Sequence, residues 1–496
     1  MKWANFLHFY QPAGQQPDIL EAIVAQSYRP IIEGIKKHDK VRLTININGA
    51  LFELLDKYGY SDIIEDLKNL VAENRIEITG SAKYHPLLPL LSEKEIIRQI
   101  ELNTETLRHF LGNYTPSGFF PPEMAYDSRI AKIIEKLGFK WIVLDEISCG
   151  GEVGQVDYSQ IYNLHDTKLK VFFRDRRLSN LIMSAVVRSR DTLLEAMAEE
   201  LKTNHYLVTA MDAETFGHHR PGLEKILFEV FDTKEFELVQ ISDIEKHYEE
   251  KKEIAPVKAT WASSKEDIEK GIQFLSWNDP ENIIHKWQWK FTGLVLKEVY
   301  DMDKNHMRYG LVRGKTDIAL ASDHFWWASA KPWWSLEMIE YGAYNLLDTL
   351  RHIPDVKKEI LDEGRDFYEK IIMTAFNWQR TGKIRSMMQE QKNILRIPFK
   401  DRTIGRGGAE KGVYFAFIDM MKKLEQGAVK KHEYEKAILW RDAMYKLENK
   451  LDIYDTINAI DLLRVEIPHK ELEEVIEKYK AKYYKIRGGQ PEQRGA

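Results

Sequence analysis

Two stretches bring acidic side chains to places where they could do chemistry. Residues 207–219 read LVTAMDAETFGHH, an apolar, β-branched run that ends in Asp212 and continues into Glu214, His218 and His219. The second, SGFFPPEMAYD at 117–127, sets Glu123 directly after Pro121 and Pro122, which stop an extended run and stiffen the chain before it. A pair of carboxyls in one pocket is the equipment for glycoside hydrolysis, one attacking or stabilising the sugar and the other protonating the departing oxygen. Separations of about 5–5.5 Å go with retention of configuration and about 6.5–9.5 Å with inversion. The proton donor needs a raised pKa, which burial and a neighbouring carboxylate supply. Glu123 and Asp212 lie 89 positions apart (212 − 123), so only the fold can join them.

The elements that must do so are legible as alternation. Short apolar runs occur at 3–9, 41–47, 75–80, 117–120, 140–145, 170–175, 206–212 and 236–241. They are rich in Val, Ile, Phe and Thr and apolar at most positions, as parallel strands covered on both faces are. Amphipathic stretches lie between them. One at 92–112 opens with Ser92 and Glu95 at capping-box spacing and stops at Gly112; another at 128–138 follows Asp127 and stops at Gly138. Strand and helix in alternation argue for βα units, and seven or eight of them for a closed or nearly closed barrel, with an open doubly wound sheet as the alternative. Beyond about residue 250 the pattern changes to long helical periods, roughly at 280–310, 335–352, 356–379, 409–424, 431–450 and 467–485. The charged, then turn-like stretch 242–264 reads as the seam, giving a catalytic unit at 1–255 and a helical region at 256–496; the last ten residues read as frayed.

Barrel enzymes place their chemistry at the C-terminal ends of the strands. There the chain sets His8, Tyr10 and Gln11; Asn46 and Asn48; Tyr84 and His85; Glu123; Asp145 and Glu146; Arg174 and Asp175; and Asp212 and Glu214. Turn chemistry alone accounts for single Asp or Asn residues there, less readily for the set. Flat aromatic faces stack on sugar rings, and HFWWASAKPWWS at 324–335 supplies Trp326, Trp327, Trp333 and Trp334. Trp261, Trp277, Trp287 and Trp289 are expected to serve packing.

Composition excludes other classes. The formal net charge is −5 with no basic run, so nucleic acid is not an expected partner. The single cysteine, Cys149, excludes a disulfide framework and a multi-cysteine zinc site. The opening MKWANFLHFYQP lacks a signal-peptide core, and no apolar run reaches the roughly 18 residues that span a membrane, so a cytoplasmic enzyme is expected.

Taken together, these stretches resemble glycoside hydrolase family 57. HFYQP (8–12) is similar to its first motif, NRIEITGSAKYHP (74–86) to its second, FFPPE to its third, MDAETFGHH to its fourth and ASDHFWWAS (321–329) to its fifth. The chain departs from the pattern at Tyr10, where a second His stands, at Asn74 in place of Gly, and at Phe120 in place of a Trp in some members. The resemblance implies an incomplete seven-stranded (β/α) barrel followed by a mainly α-helical region. It implies a retaining enzyme acting on α-glucans of the starch, glycogen or maltodextrin type, with Glu123 as nucleophile and Asp212 as general acid/base. Glu77, Glu214, His218 and Asp323 join His8, Tyr10, Gln11, His85, Phe120, Asp145, Arg174, Trp326 and Trp327 as expected substrate-binding residues, with no cofactor and no metal. Amylase-type hydrolysis is slightly favoured over 4-α-glucanotransferase or branching activity. A metal-dependent polysaccharide deacetylase-like enzyme, using His8, His85, Asp212, His218 or His219, and a non-catalytic carbohydrate-binding protein are the alternatives of other classes.

Overall fold

A computed structural model describes residues 1–185, 187, 189–331, 333–390, 411–449, 462, 463, 466, 467 and 475. Most of the helix expected at 467–485 and the whole frayed end lie outside the described residues. Among the described residues ten strands are formed: β1 (Lys2–Phe9), β2 (Leu43–Ile47), β3 (Ile76–Ile78), β4 (Gly118–Phe119), β5 (Trp141–Asp145), β6 (Ile161–Leu164), β7 (Lys170–Arg174), β8 (Tyr206–Asp212), β9 (Glu237–Leu238) and β10 (Glu250–Ile254). One sheet runs β3-β2-β1-β8, with β9 added beside the start of β1; the other runs β10-β6-β7-β5-β4. All pairings are parallel except β6 with β7. The sheets touch at both ends: Gly80 bridges Phe119, and the Asp175 N–H donates to the Val208 carbonyl at 2.7 Å. β6 and β10 add to the expected strands, and β10 lies inside the stretch read as a seam, where it extends the second sheet.

Side chains alternate along each strand, and one set faces inward. Ala4, Phe6, Phe120, Trp141, Val143, Phe172, Tyr206, Val208 and Ala210 share one buried cluster between the sheets. The opposite faces of β1, β2 and β8, with Leu7, Ile45 and Met211, pack under the surrounding helices. A period of two therefore puts His8 above Phe6, Asn46 above Thr44, Asp145 above Val143, Arg174 above Phe172 and Asp212 above Ala210. The polar strand ends are the top layer of a mainly apolar interior, in which Thr44 and Glu77 are paired lower down.

Helices cover the sheets as expected at Glu93–Leu111 and Ser128–Lys136; the Asp127 carboxylate caps the second, accepting from the backbone of Arg129 and Ile130. The capping box expected at Ser92 and Glu95 does not form, because both side chains are drawn to the following helices. Ser92 Oγ meets the Tyr300 hydroxyl at 3.2 Å, and Glu95 accepts from Arg313 at 2.7 Å. Those helices, Ile283–Asp301, Tyr309–Ala319, Leu336–His352 and Lys358–Thr381, share a core of their own. Arg98 grips Asp317 through three hydrogen bonds of 2.6–3.1 Å, while Arg313 binds both Glu95 and Asp317. This buried cluster fixes the Tyr309–Ala319 helix against the sheet-covering helices and so positions Ser322 and Asp323 just after it. No helix among the described residues is long and apolar enough to cross a membrane.

Candidate active site

Glu123 stands on a strained backbone. It occupies a short turn, Pro122–Met124, with φ at 62°, and Met124 follows at φ 49°. A left-handed conformation in a non-glycine residue costs on the order of 1–3 kcal/mol and gathers at functional sites. Trp261 holds the residue twice: its backbone N–H donates to the Glu123 carbonyl at 3.2 Å and its indole N–H to Oε2 at 2.7 Å. The other oxygen, Oε1, is 3.7 Å from His85 Nδ1. Burial pushes the Glu123 carboxyl up to about 8; the Trp261 N–H opposes the rise, and the charges of Asp212 and Asp323 add to it.

Asp212 ends β8 in register with His8. Burial raises it to about 6, and the nearby Arg174 guanidinium opposes the rise. Among the described residues no hydrogen bond is made to its carboxylate, a contrast with the anchored Glu123. Two residues on, Glu214 accepts from Gln11 Nε2 at 3.0 Å and from the Tyr28 hydroxyl. Burial, then the charge of Asp212, lifts it to about 8.

A cluster of rings makes one wall, with His8 and Tyr10 also in contact at 5.8 Å. Phe120 packs on His8 with centroids 4.7 Å apart, His8 on His85 at 5.0 Å and His85 on Tyr10 at 4.2 Å. Burial keeps both imidazoles uncharged, lowering His8 to about 4 and His85 well below its ordinary value. His8 Nδ1 pairs with Asn46 Oδ1 at 2.8 Å. The Tyr10 hydroxyl donates to Asp323 at 2.5 Å, so the residue that departs from the family pattern ties the end of β1 to the helical region. Asp323 is raised by burial to about 6.

The structure thus gathers Glu123, Asp212, Glu214, Asp323, His8, Tyr10, Gln11, His85, Phe120 and Arg174. It does not bring in three others. Glu77 pairs in register with Thr44, one pleat below Asn46, and its carboxylate accepts from the Thr44 hydroxyl and the Ser242 N–H at the far end of the interior. Asp145 is sealed, bound to Arg174 at 2.6 Å and Arg176 at 2.7 Å; it aims the arginine instead of meeting a sugar. His218 turns outward, its Nδ1 2.8 Å from Gln26 Oε1. Trp326 and Trp327 are half-buried and cluster with Trp333, the first pair 4.9 Å apart and Trp326 stacked on Trp333 at 4.5 Å. Trp277 and Trp289 do pack, the Trp289 N–H donating to the Trp277 carbonyl at 2.9 Å and its ring stacking on Phe325 at 4.2 Å. Trp261 packs as well, against the inner cluster with its ring edge-on to Phe120 at 5.9 Å, and in addition binds Glu123. Tyr28 and Ser322 were missed altogether, since neither stands at a strand end. Among the described residues no three His, Cys, Asp or Glu side chains group so as to hold a metal ion.

The chain is similar to known proteins in sequence and in fold. An alpha-amylase of Pyrococcus horikoshii is 25% identical over 238 residues, 47% of this chain and 37% of the relative. A 4-alpha-glucanotransferase of Thermococcus litoralis is 23% identical over 242 residues, 48% of this chain and 36% of the relative. The chain therefore spans about a third of the length of these relatives. The crystal structure of a branching enzyme from Pyrococcus horikoshii is 16% identical and superposes with a TM-score of 0.56, covering 76% of this chain and 96% of that one. That likeness shows a shared fold, α/β with parallel strands and a helical region after it. Residues 15–257 match the sequence profile of Glycosyl hydrolase family 57, and that part of the chain belongs to the family.

Proposed function

We propose that the protein is a retaining enzyme acting on α-linked glucans, with Glu123 as nucleophile and Asp212 as general acid/base. The observation that carries the reading is the unequal support of two buried carboxylates, the charge of Asp212 adding to the rise of Glu123. A nucleophile must be held still, and Glu123 is anchored through Oε2 by Trp261, leaving Oε1 for the anomeric carbon. A proton shuttle must reach two oxygens in turn, and the Asp212 carboxylate is untethered beside Arg174. In the first step Oε1 bonds to C1 while Asp212 gives its proton to the departing glycosidic oxygen. In the second, Asp212 takes a proton from an incoming hydroxyl, whose oxygen bonds to C1 and releases Glu123.

Around this pair Glu214, Asp323, His8, Tyr10 and Gln11 offer hydrogen bonds to sugar hydroxyls, with Trp326 and Trp327 as stacking surfaces at the rim. The two sheets are read as one distorted barrel of seven parallel strands, closed by the Gly80–Phe119 bridge on one side and the Asp175–Val208 hydrogen bond on the other. In this reading residues 1–255 form the catalytic unit, and the helical region from 256 contributes Trp261, Ser322 and Asp323 to it.

Chromatography of products from maltohexaose tests the function. Shorter maltooligosaccharides are expected, released in the α configuration. Longer chains beside them identify transfer to a sugar acceptor, and their absence identifies hydrolysis. Maltohexaose left intact contradicts the assignment.

A further inference from the structure

A single arginine grips the turn that carries Trp261. Arg176 opens the helix Arg176–Met183, rooted there by the end of β7 and by the Asp175 carboxylate, which caps the helix by accepting from the Leu178 N–H at 2.7 Å. Its own backbone N–H donates to Glu146 Oε1 at 2.7 Å. From that root the guanidinium reaches a turn distant in sequence. Nη1 donates to the Ser263 carbonyl at 2.8 Å, and Nη2 to the Trp261 carbonyl at 3.0 Å and the Thr260 carbonyl at 3.4 Å. The turn closes on itself, the Thr260 N–H donating to Ser263 Oγ at 2.8 Å. This same turn sends the Trp261 indole N–H to Glu123 Oε2. The remaining donor of the arginine, Nε, binds Asp145 Oδ1 at 2.8 Å. Asp145 is fully buried, and its other oxygen accepts from Arg174, the guanidinium beside Asp212.

We propose that Arg176 is a positioning residue for the nucleophile: by tying three carbonyls of the 260–263 turn to Asp145, it fixes the direction in which the Trp261 indole presents its N–H to Glu123. The inference rests on the glucan-active reading above, in which Glu123 attacks the sugar. Direction matters because a hydrogen bond weakens steeply once donor and acceptor fall out of line. The backbone contact between Trp261 and Glu123 has a support of its own in the neighbouring Tyr126–Ala259 bridge, so what Arg176 governs is the aim of the indole. A planar fork can serve a carboxylate and several carbonyls at once, whereas an ammonium group is a single point charge. Lysine at this position therefore keeps a cation beside Asp145 and gives up the clasp on the turn. Through Asp145 the same network reaches Arg174, so one buried carboxylate steadies both the anchor of the nucleophile and the arginine beside the acid/base.

The test is a double-mutant cycle on α-maltotriosyl fluoride, whose fluoride release reads the attack by Glu123. Trp261→Phe keeps a ring against Phe120 and removes the N–H. It is expected to lower kcat/KM by about tenfold to hundredfold, the size of a hydrogen bond to a charged group. Arg176→Lys and Arg176→Gln are each expected to cost about fivefold to fiftyfold in the native background, but less than about twofold when added to Trp261→Phe, because the contact they disturb is already gone. Indole N–H resonances of protein labelled with nitrogen-15 tryptophan, recorded without substrate, give a readout independent of turnover. The signal missing from Trp261→Phe identifies Trp261, and both Arg176 variants are expected to move it upfield as its hydrogen bond weakens. Equal penalties in the two backgrounds, native rates in both Arg176 variants, or an indole signal that stays in place overturns the positioning role. Loss of the folded state in both variants, read from their melting curves, overturns it too, since the arginine then serves the fold and not the nucleophile. Failure of the unaltered protein to release fluoride overturns the glucan-active reading, and the indole signal then still tests the clasp on Glu123 by itself.

Discussion

Glu123→Gln is expected to lower turnover of maltooligosaccharides by at least about 10⁴-fold while leaving the thermal melting curve in place, because the amide keeps the shape and the Trp261 contact but cannot bond to C1. Steady-state rates measure the loss. Glu123→Gly carries the point further. Glycine suits a backbone held at φ 62° and leaves room for a small anion. With α-maltotriosyl fluoride as donor, azide should restore turnover to this variant and give the β-glycosyl azide, since azide then attacks from the face that Glu123 vacated. Residual activity within about tenfold of native in Glu123→Gln removes the residue from the reaction.

Asp212→Asn is expected to cost about 10²–10⁴-fold on maltooligosaccharides, the span of one positioned acid/base. The loss should be smaller in the first step with the fluoride, whose departure needs less protonation. Azide should rescue this variant to the α-glycosyl azide, the opposite anomer, because it attacks the glycosyl-enzyme. The pH profile supplies a second readout. Activity needs one of the two carboxyls charged and the other protonated. Burial sets the pair at about 6 for Asp212 and about 8 for Glu123. The native profile should therefore rise as pH passes about 6, when the pair gives up its first proton, and fall as pH passes about 8, when it gives up the second. These values belong to the pair, since a single shared proton can sit on either carboxyl, and only the arrangement with Glu123 charged is productive. Asp212→Asn should lose the descending limb. A native profile flat from pH 5 to 9 contradicts the coupling of the two groups.

Much of the fold and most of the candidate site could be read from the chain because a period of two was at work. Where an inward-facing apolar residue is followed two positions on by a polar one, as Phe6 by His8 or Ala210 by Asp212, the strand end announces the site. The same rule misplaces Glu77 when register is unknown: it faces inward, but its partner Thr44 puts it one layer too deep. Asp145 satisfies the pattern and still serves another end, because two arginines within 2.7 Å leave it nothing to offer a ligand. Trp261, Tyr28 and Ser322 gave no signal. Trp261 and Ser322 arrive with the helical region, whose packing is set by the Arg98–Asp317 and Arg313–Glu95 contacts, and Tyr28 comes from a helical turn between β1 and β2 that no strand end marks. Tyr10, a departure from the family pattern, becomes intelligible once Asp323 is seen to receive its hydroxyl.

Burial lifts Glu123 to about 8 and Asp212 only to about 6, whereas the proposed roles require Glu123 to be the charged partner. Labelling the nucleophile decides this directly. The protein is treated with a 5-fluoro-α-glucosyl fluoride, which forms the glycosyl-enzyme faster than it breaks down, and then digested with pepsin and mapped by mass spectrometry. The sugar mass is expected on the peptide spanning FFPPEMAY, at Glu123. A label on Asp212 reverses the two roles, and an intact protein mass that never changes while substrate is consumed rules out the covalent route.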